Sequence, residues 1–405
     1  MTRRRLPRSP RFAATAGALS LLVALLAACG SSSHRNPGSA GGGTTNGAGA
    51  NGATTTAPAD SGAGIYAGTV GPGLSPAVRG VPLRVYVPNS LNDSVDVIDT
   101  AAYRVIDHFA VGRGPQHVTP SWDLRTLYVD NTEGDSLTPV DPKTGKPGAP
   151  LPVADPYNLY FTMDGTKAIV VAERFDRLDF RDAHTWQLLK SVPAPAYRQP
   201  CPDVGANNIN GLDHLDFSAD GRYFLLSSEC SGRMFKVDVP TLSFAGQVDV
   251  GGSPVDVKLS PDGKVFYVAN QKRNGVSVID AQALREITFI PTGEGAHGLY
   301  PSRDGRSLYV SNRAPRSHHG SVTVIDFAAR QVKATWPVPG TPDMGGVTPD
   351  GSEFWLSGRY DDVVYVIDTR SGTVTHSIKV GRGPHGLALF PQPGSFSLGH
   401  TGNYR

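Results

Sequence analysis

The sequence predicts an all-β fold, a seven-bladed β-propeller of four-stranded antiparallel blades, and two periodic phrases carry the prediction. The first is an Asp-Gly turn, with its aspartates at Asp164, Asp220, Asp262, Asp304 and Asp350. Between alternating apolar runs it reads as a hairpin, because glycine tolerates positive φ. The second is Val-Ile-Asp or a variant, with aspartates at Asp99, Asp141, Asp182, Asp238, Asp280, Asp326 and Asp368. Their spacings are 42, 41, 56, 42, 46 and 42 residues, which makes seven repeats with insertions in the third and fifth steps. A typical repeat, SPVDVKLSPDGKVFYVANQKRNGVSVIDAQALREITFIPT, holds short strands separated by turn residues and shows no helical period. Four-stranded units of this length are propeller blades, which bury a core only by stacking on neighbours.

Ahead of the repeats, MTRRRLPRSPRF is basic and the apolar run after it is too short for a membrane span, so residues 1–29 read as an export signal. The run ends in LAAC (Leu26–Cys29), which resembles the lipobox of bacterial lipoproteins. The resemblance implies lipidation of Cys29 and anchoring to the outer face of the cytoplasmic membrane or cell envelope. Residues 30–64 are mostly Gly, Ser, Thr, Ala and Asn, a flexible tether with almost no apolar surface to bury. Without the five arginines of the signal, 33 basic residues face 36 acidic ones, about −3 net, which argues against a nucleic-acid footprint. Two cysteines remain, Cys201 and Cys230. In an exported chain they are expected to pair, because inter-blade connections and second-to-third-strand loops leave a propeller on one face.

The propeller is expected over 65–395, with 396–405 as a C-terminal tail. The phrases VFYVAN…GVSVID, SLYVSN…SVTVID and RVYVPN…SVDVID closely resemble the YVTN-type β-propeller family of exported bacterial proteins. That resemblance spans nearly all the folded chain and implies architecture rather than activity. VGRGPQHV (Val111–Val118) and VGRGPHGL (Val380–Leu387) mark connections from one blade's outer strand to the next blade's inner strand. After the second copy, Gly386–Phe390 is an inner strand without a blade, while the first repeat, Leu83–Val111, has three strands. The ring is expected to close by joining them, which removes two exposed edges. The rival partner is Val70–Gly80.

GRGPHG (Gly381–Gly386) and GEGAHG (Gly293–Gly298) fit a dinucleotide fingerprint, but here glycines precede a strand where that motif needs a following helix. They read as inter-blade turns. No nucleophile elbow, zinc-type Cys/His spacing or HExxH motif occurs. Position within the repeat says more. Where each chain segment enters its inner strand, equivalent positions hold Gln116, Tyr157, Asp213, Val255, His297, Asp343 and His385, then His117, Asn158, His214, Asp256, Gly298, Met344 and Gly386. Radial repetition brings these to one channel mouth, so His117, Asp213, His214, Asp256, His297, Asp343 and His385 are the candidate ligand-binding set. Imidazole and carboxylate suit a transition metal, and a haem-binding propeller of cytochrome-type nitrite reductases has a similar architecture, so a metal or haem at the mouth is one expectation. No CxxCH haem-attachment motif accompanies it. Histidines so placed would make binding pH-dependent near 6–7. Together these features predict a monomeric, lipid-anchored protein binding a partner protein, polymer or small ligand at the mouth. The alternative is a metal- or cofactor-dependent redox or hydrolytic enzyme using the same mouth.

Overall fold

The computed structural model describes residues 64–405 apart from 71–72, 202–205, 208 and 401. The signal segment, Cys29 and the tether to residue 63 lie outside the described residues. No helix among the described residues is long and apolar enough to cross a membrane.

Seven antiparallel sheets form the blades. Blade 1 begins with Arg84–Asn89, blade 2 with Pro115–Pro120, blade 3 with Asn158–Phe161 and blade 4 with Leu212–Phe217. Blades 5, 6 and 7 begin with Pro254–Leu259, Ala296–Pro301 and Pro342–Val347. Blade 2 has a broken outer strand, Lys146–Pro147 and Leu151–Pro152, both paired to Ser136–Asp141. The closure expected from the repeats is present: Ala388–Phe390 pairs antiparallel with Arg84–Tyr86 and completes blade 1. Among its described residues, the rival segment holds a short 3-10 turn, Pro76–Val78, and a single bridge from Leu74 to Pro393.

Both periodic aspartates are turn builders. Asp220 accepts from Ser218 Oγ at 2.7 Å and Arg222 N at 3.1 Å, and Gly221 follows at φ 67°. Asp280 accepts from Gln282 N and Ala283 N at 2.9 and 2.7 Å, closing the turn to the outer strand. The glycines of the connecting phrase lie against the asparagine that ends a second strand: a Cβ on Gly381 would come 2.6 Å from Asn89, and one on Gly112 would come 2.7 Å from Asn131. That close approach explains why the phrase recurs. The core is correspondingly divided into clusters between neighbouring blades, for instance Phe180 and Phe224 between blades 3 and 4, and Tyr267 and Val310 between blades 5 and 6.

The insertion before blade 4 carries Cys201, which is disulfide-bonded to Cys230 with Cα atoms 5.2 Å apart. Tyr197 Oη also donates to the Cys230 carbonyl at 2.8 Å. With the cysteines 29 residues apart, reduction is expected to lower stability by roughly 3–4 kcal/mol on the chain-entropy estimate. Urea midpoints with and without reductant measure this. Coincident midpoints would show that the bond constrains little.

The C-terminal segment departs from its reading as a tail. From Phe390 the chain crosses the lower face, the face of the Asp-Gly turns, and 396–400 with 402–405 form the two sides of a small hairpin finger, Ser397 bridged to Tyr404. The finger enters the channel from below. Phe161 N donates to the Leu398 carbonyl and His400 N to the Leu159 carbonyl, both at 2.9 Å, so it lines blade 3 like an added strand. Leu398, His400 and Asn403 are fully buried, and a Cβ on Gly399 would meet the Leu159 carbonyl at 2.4 Å. Arg405 pairs with buried Asp216 at 2.9 Å and stacks over Tyr66 of the turn Gly64–Thr69. A tail reading follows when glycine and polar residues are weighed without partners; here the channel supplies the partners.

Candidate functional site

The channel mouth is built by a repeated irregularity. In blades 4 to 7 two consecutive residues of the innermost strand oppose one residue of the second strand. Pairing skips from Leu212 to Leu215, Pro254 to Val257, Ala296 to Leu299 and Pro342 to Gly345. Regular alternation would send one of each pair away from the axis; a bulge re-aims both. Serines on the second strand satisfy the backbone this frees. Ser227 Oγ accepts from His214 N at 2.9 Å and donates to the His214 carbonyl at 3.0 Å, and Ser357 does the same at Met344. Ser311 accepts from Gly298 N and donates to the Asp343 carbonyl. These serines escaped the sequence reading, although they recur one place before the end of the second strand.

Six of the seven candidates converge, in two groups. In the first, Asp343 lies 2.9 Å from His297 Nδ1, 2.6 Å from Arg313 Nε and 3.5 Å from His385 Nε2. Arg359 Nη1 is 3.9 Å from Asp343 Oδ2, the oxygen that also faces His385. His385 Nδ1 donates to Gln116 Oε1 at 2.9 Å, leaving Nε2 to accept from Arg313 Nη2 at 3.3 Å. Burial pushes the Asp343 carboxyl up, but Arg313 and His297 outweigh it and hold it below the usual range. In the second group, His117 and His214 from blades 2 and 4 meet His400 of the finger, with ring centroids 4.3–5.5 Å apart. Asp213 Oδ1 is 3.1 Å from His214 Nε2. His400 was missed because it lies outside every repeat.

Asp256 is a correction. It is buried, but its oxygens accept from Val257 N and Leu299 N at 2.8 Å each, and Lys258 Nζ lies 3.4 Å away. It joins blade 5 to blade 6, and a carboxylate so engaged is not offered to a ligand at the mouth. Arg174 and Arg273, in the loops after the second strands of blades 3 and 5, are likewise committed, to Asp155 and Glu286 respectively.

The electrostatics are divided. Arg313 and Arg359 approach from blades 6 and 7. On the opposite side, burial first and then Glu229 raise both Asp213 and Glu173 well above the usual carboxylate range. The histidines do not titrate where free imidazole does. Burial drives His117 down to about 3, and burial together with Arg313 drives His297 down to about 4. The expected binding change near pH 6–7 therefore loses its basis. A linkage prediction replaces it. A base whose pKa falls on folding is protonated first in the unfolded chain, so stability drops as pH falls from ~6.5 towards about 4 for His297. His297→Gln is expected to flatten this limb by up to ~1.4 kcal/mol per pH unit. Parallel urea midpoints for both proteins at pH 7 and pH 4.5 would refute it.

A haem does not fit between these imidazoles. Rings 4.3–6.2 Å apart leave room for an ion but not for a macrocycle. Beneath them, a cavity of about 30 Å³ lined by Tyr300, Gly346, Ala388 and Tyr404 would hold about one water. A tetrapyrrole would have to lie across the mouth.

A profile of the YNCE-like beta-propeller family matches residues 74–392. Among curated proteins, the chain is similar to Protein NirF of Pseudomonas aeruginosa, at 27% identity over 219 residues covering 50% of this chain and 53% of NirF. It is similar to Antigen Lp49 of Leptospira interrogans at 28% identity over 168 residues, 36% of each chain. The chain thus spans about half of one relative and about a third of the other. Among solved structures, the periplasmic gluconolactonase PpgL of Pseudomonas aeruginosa has a TM-score of 0.63 at 20% identity, covering 77% of this chain and 99% of that one. Dihydro-heme d1 dehydrogenase NirN, in complex with DHE, has a TM-score of 0.58 at 20% identity, covering 83% of each chain. At that identity the structural likeness is one of fold.

Proposed function

The chain belongs to the YNCE-like beta-propeller family, and from that premise we propose that it is an exported, monomeric binding protein, lipidated at Cys29 and held off the membrane by the 30–64 tether, whose channel mouth takes a small carboxylate-bearing ligand without chemistry of its own. The observation that carries this reading is Arg359. Its Nη1 is buried without a hydrogen-bond partner, beside Arg313, which is already engaged with Asp343. A guanidinium so placed is suited to grip a planar carboxylate in two-point fashion. The carboxyl groups of Glu173 and Asp213, which burial holds toward the protonated form, would orient such a ligand by hydrogen bonding.

Calorimetric titration with di- and tricarboxylates, citrate among them, tests it. Arg359→Gln is expected to weaken binding at least tenfold with little change in melting temperature. A second groove, on the face of the Asp-Gly turns, is lined by Arg306, Arg330 and Lys333 beside Asp262 and Asp326; binding that survives Arg359→Gln and instead fails when those three cations are replaced would move the site there. A second reading, a cofactor-dependent enzyme with its site at the same mouth, draws support from the fold shared with dihydro-heme d1 dehydrogenase NirN. A shift in haem absorption on adding the protein, lost in Arg359→Gln, would favour it.

A further inference from the structure

We propose that His117, His214 and His400 form a site for one divalent transition-metal ion inside the channel, with the C-terminal finger supplying the third imidazole. The three residues come from blade 2, blade 4 and the finger, all are fully buried, and one nitrogen of each lies within 4.8 Å of the others. Tetrahedral ligands at ~2.0–2.1 Å from zinc stand closer together than that, and small ring rotations close the difference.

The surroundings suit ligation. His117 Nδ1 donates to the Tyr157 carbonyl at 2.8 Å. That bond holds the ring's proton on Nδ1, so Nε2 presents a lone pair, and Nε2 has no hydrogen-bond partner. An outer hydrogen bond of this kind is the usual way a protein orients a ligating imidazole. His214 Nε2 also lacks a hydrogen-bond partner, and Asp213 Oδ1, 3.1 Å away, has none either. A cation between them would satisfy both, the Asp213 carboxyl giving up its proton as the ion enters. Asn158 Nδ2 lies 3.1 Å and Tyr160 Oη 3.4 Å from His214 Nδ1. Ligation through Nε2 requires the His214 proton on Nδ1, where Tyr160 Oη can accept it. Asn158 keeps its other bond, to the Asp213 carbonyl at 3.0 Å.

The neighbouring group of His297, Asp343 and His385 is equally compact, yet it is the poorer choice. Its carboxylate is already matched by Arg313 at 2.6 Å, with Arg359 beyond it at 3.9 Å, and two guanidiniums repel an entering cation. Around the His117 group, Arg359 acts on His117 from a distance and Lys258, paired with Asp256 at 3.4 Å, acts on His214 and His400, but neither occupies Asp213 Oδ1, which stands 3.1 Å from His214 Nε2 without a hydrogen-bond partner. Imidazole donors select zinc, cobalt, nickel or copper over magnesium or calcium.

The test uses the purified full chain, stripped with chelator and titrated with Co²⁺. One equivalent should bind, giving visible absorption of a nitrogen-ligated ion that Zn²⁺ displaces, and Zn²⁺ should raise the melting temperature. His117→Ala and His400→Ala should each weaken Co²⁺ binding at least tenfold, while His319→Ala, in an exposed loop, should change it less than twofold. No saturable binding by the unsubstituted protein, or unchanged affinity in His400→Ala, overturns the assignment. Should the variants fail to fold, zinc-edge X-ray absorption on the unsubstituted protein decides: three imidazole nitrogens support the site, and fewer refute it. Carboxylate binding at Arg359 is read separately, so either result can fail alone.

Discussion

Cutting the chain after Gly381 should abolish cooperative unfolding. The cut removes the strand Ala388–Phe390 that closes blade 1 and exposes the edge Arg84–Tyr86, leaving an unpaired ladder open to association. It also removes Leu387, Leu389, Phe390, Leu398 and Tyr404, each at most 3% exposed. At roughly 1.5–3 kcal/mol per fully buried side chain, these five account for ~7–15 kcal/mol, as much as the whole stability of an ordinary domain. Calorimetry should show one sharp transition for the full chain, and aggregation or a broad, weak transition for the truncated one. A milder cut after Gly394 keeps the closing strand and loses the finger, including the ion pair of Arg405 with Asp216. It should retain a cooperative transition at lower temperature. If the chain ending at Gly381 melts like the full protein, the closing strand contributes nothing.

Asp343→Ala should cost about 3–5 kcal/mol, the range found when one partner of a buried ion pair is deleted. Asp343 is fully buried and lies 2.6 Å from Arg313, whose side chain is 11% exposed. Removing the carboxylate leaves Arg313 desolvated, with His297 deprived of its neighbour at 2.9 Å. Asp343→Ala/Arg313→Met should recover much of the loss, because an apolar pair of similar volume carries no uncompensated charge. Urea midpoints of the single and double variants measure this. Equal destabilisation in both would mean that packing, not charge, sets the effect. Mild acid should not reproduce it. Since Asp343 is held below its ordinary pKa, its contribution is complete above the unfolded value of ~3.8 and is lost only as pH falls through the lower folded value. A shift from pH 7 to pH 5 leaves it intact.

Much of the fold was legible because the chain repeats itself. The spacing of the Val-Ile-Asp aspartates counts the blades, and the lone strand near Leu389 finds its partner because the first repeat is one strand short. The mouth was legible for the same reason: equivalent positions of a ring face one axis, which placed His117, His214, His297, His385, Asp213 and Asp343 together. The misreadings came from features a repeat register does not carry. Asp256 occupies the same position as His214, yet its oxygens bind backbone amides of its own blade and the next. His400 follows no repeat and reaches the channel only because Leu398 and Gly399 fit against Leu159 and Tyr160.

The sequence by itself determined the all-β class, the number of blades, the way the ring closes and which positions line its axis, because each is a consequence of periodicity and of local turn chemistry. The tertiary structure alone decided which of those side chains remain available. Whether a buried carboxylate is taken up by amides, as at Asp256, or by guanidinium, as at Asp343, depends on donors brought from other blades. Whether a polar tail stays in solvent or fills a channel depends on the backbone groups the channel leaves to be paired.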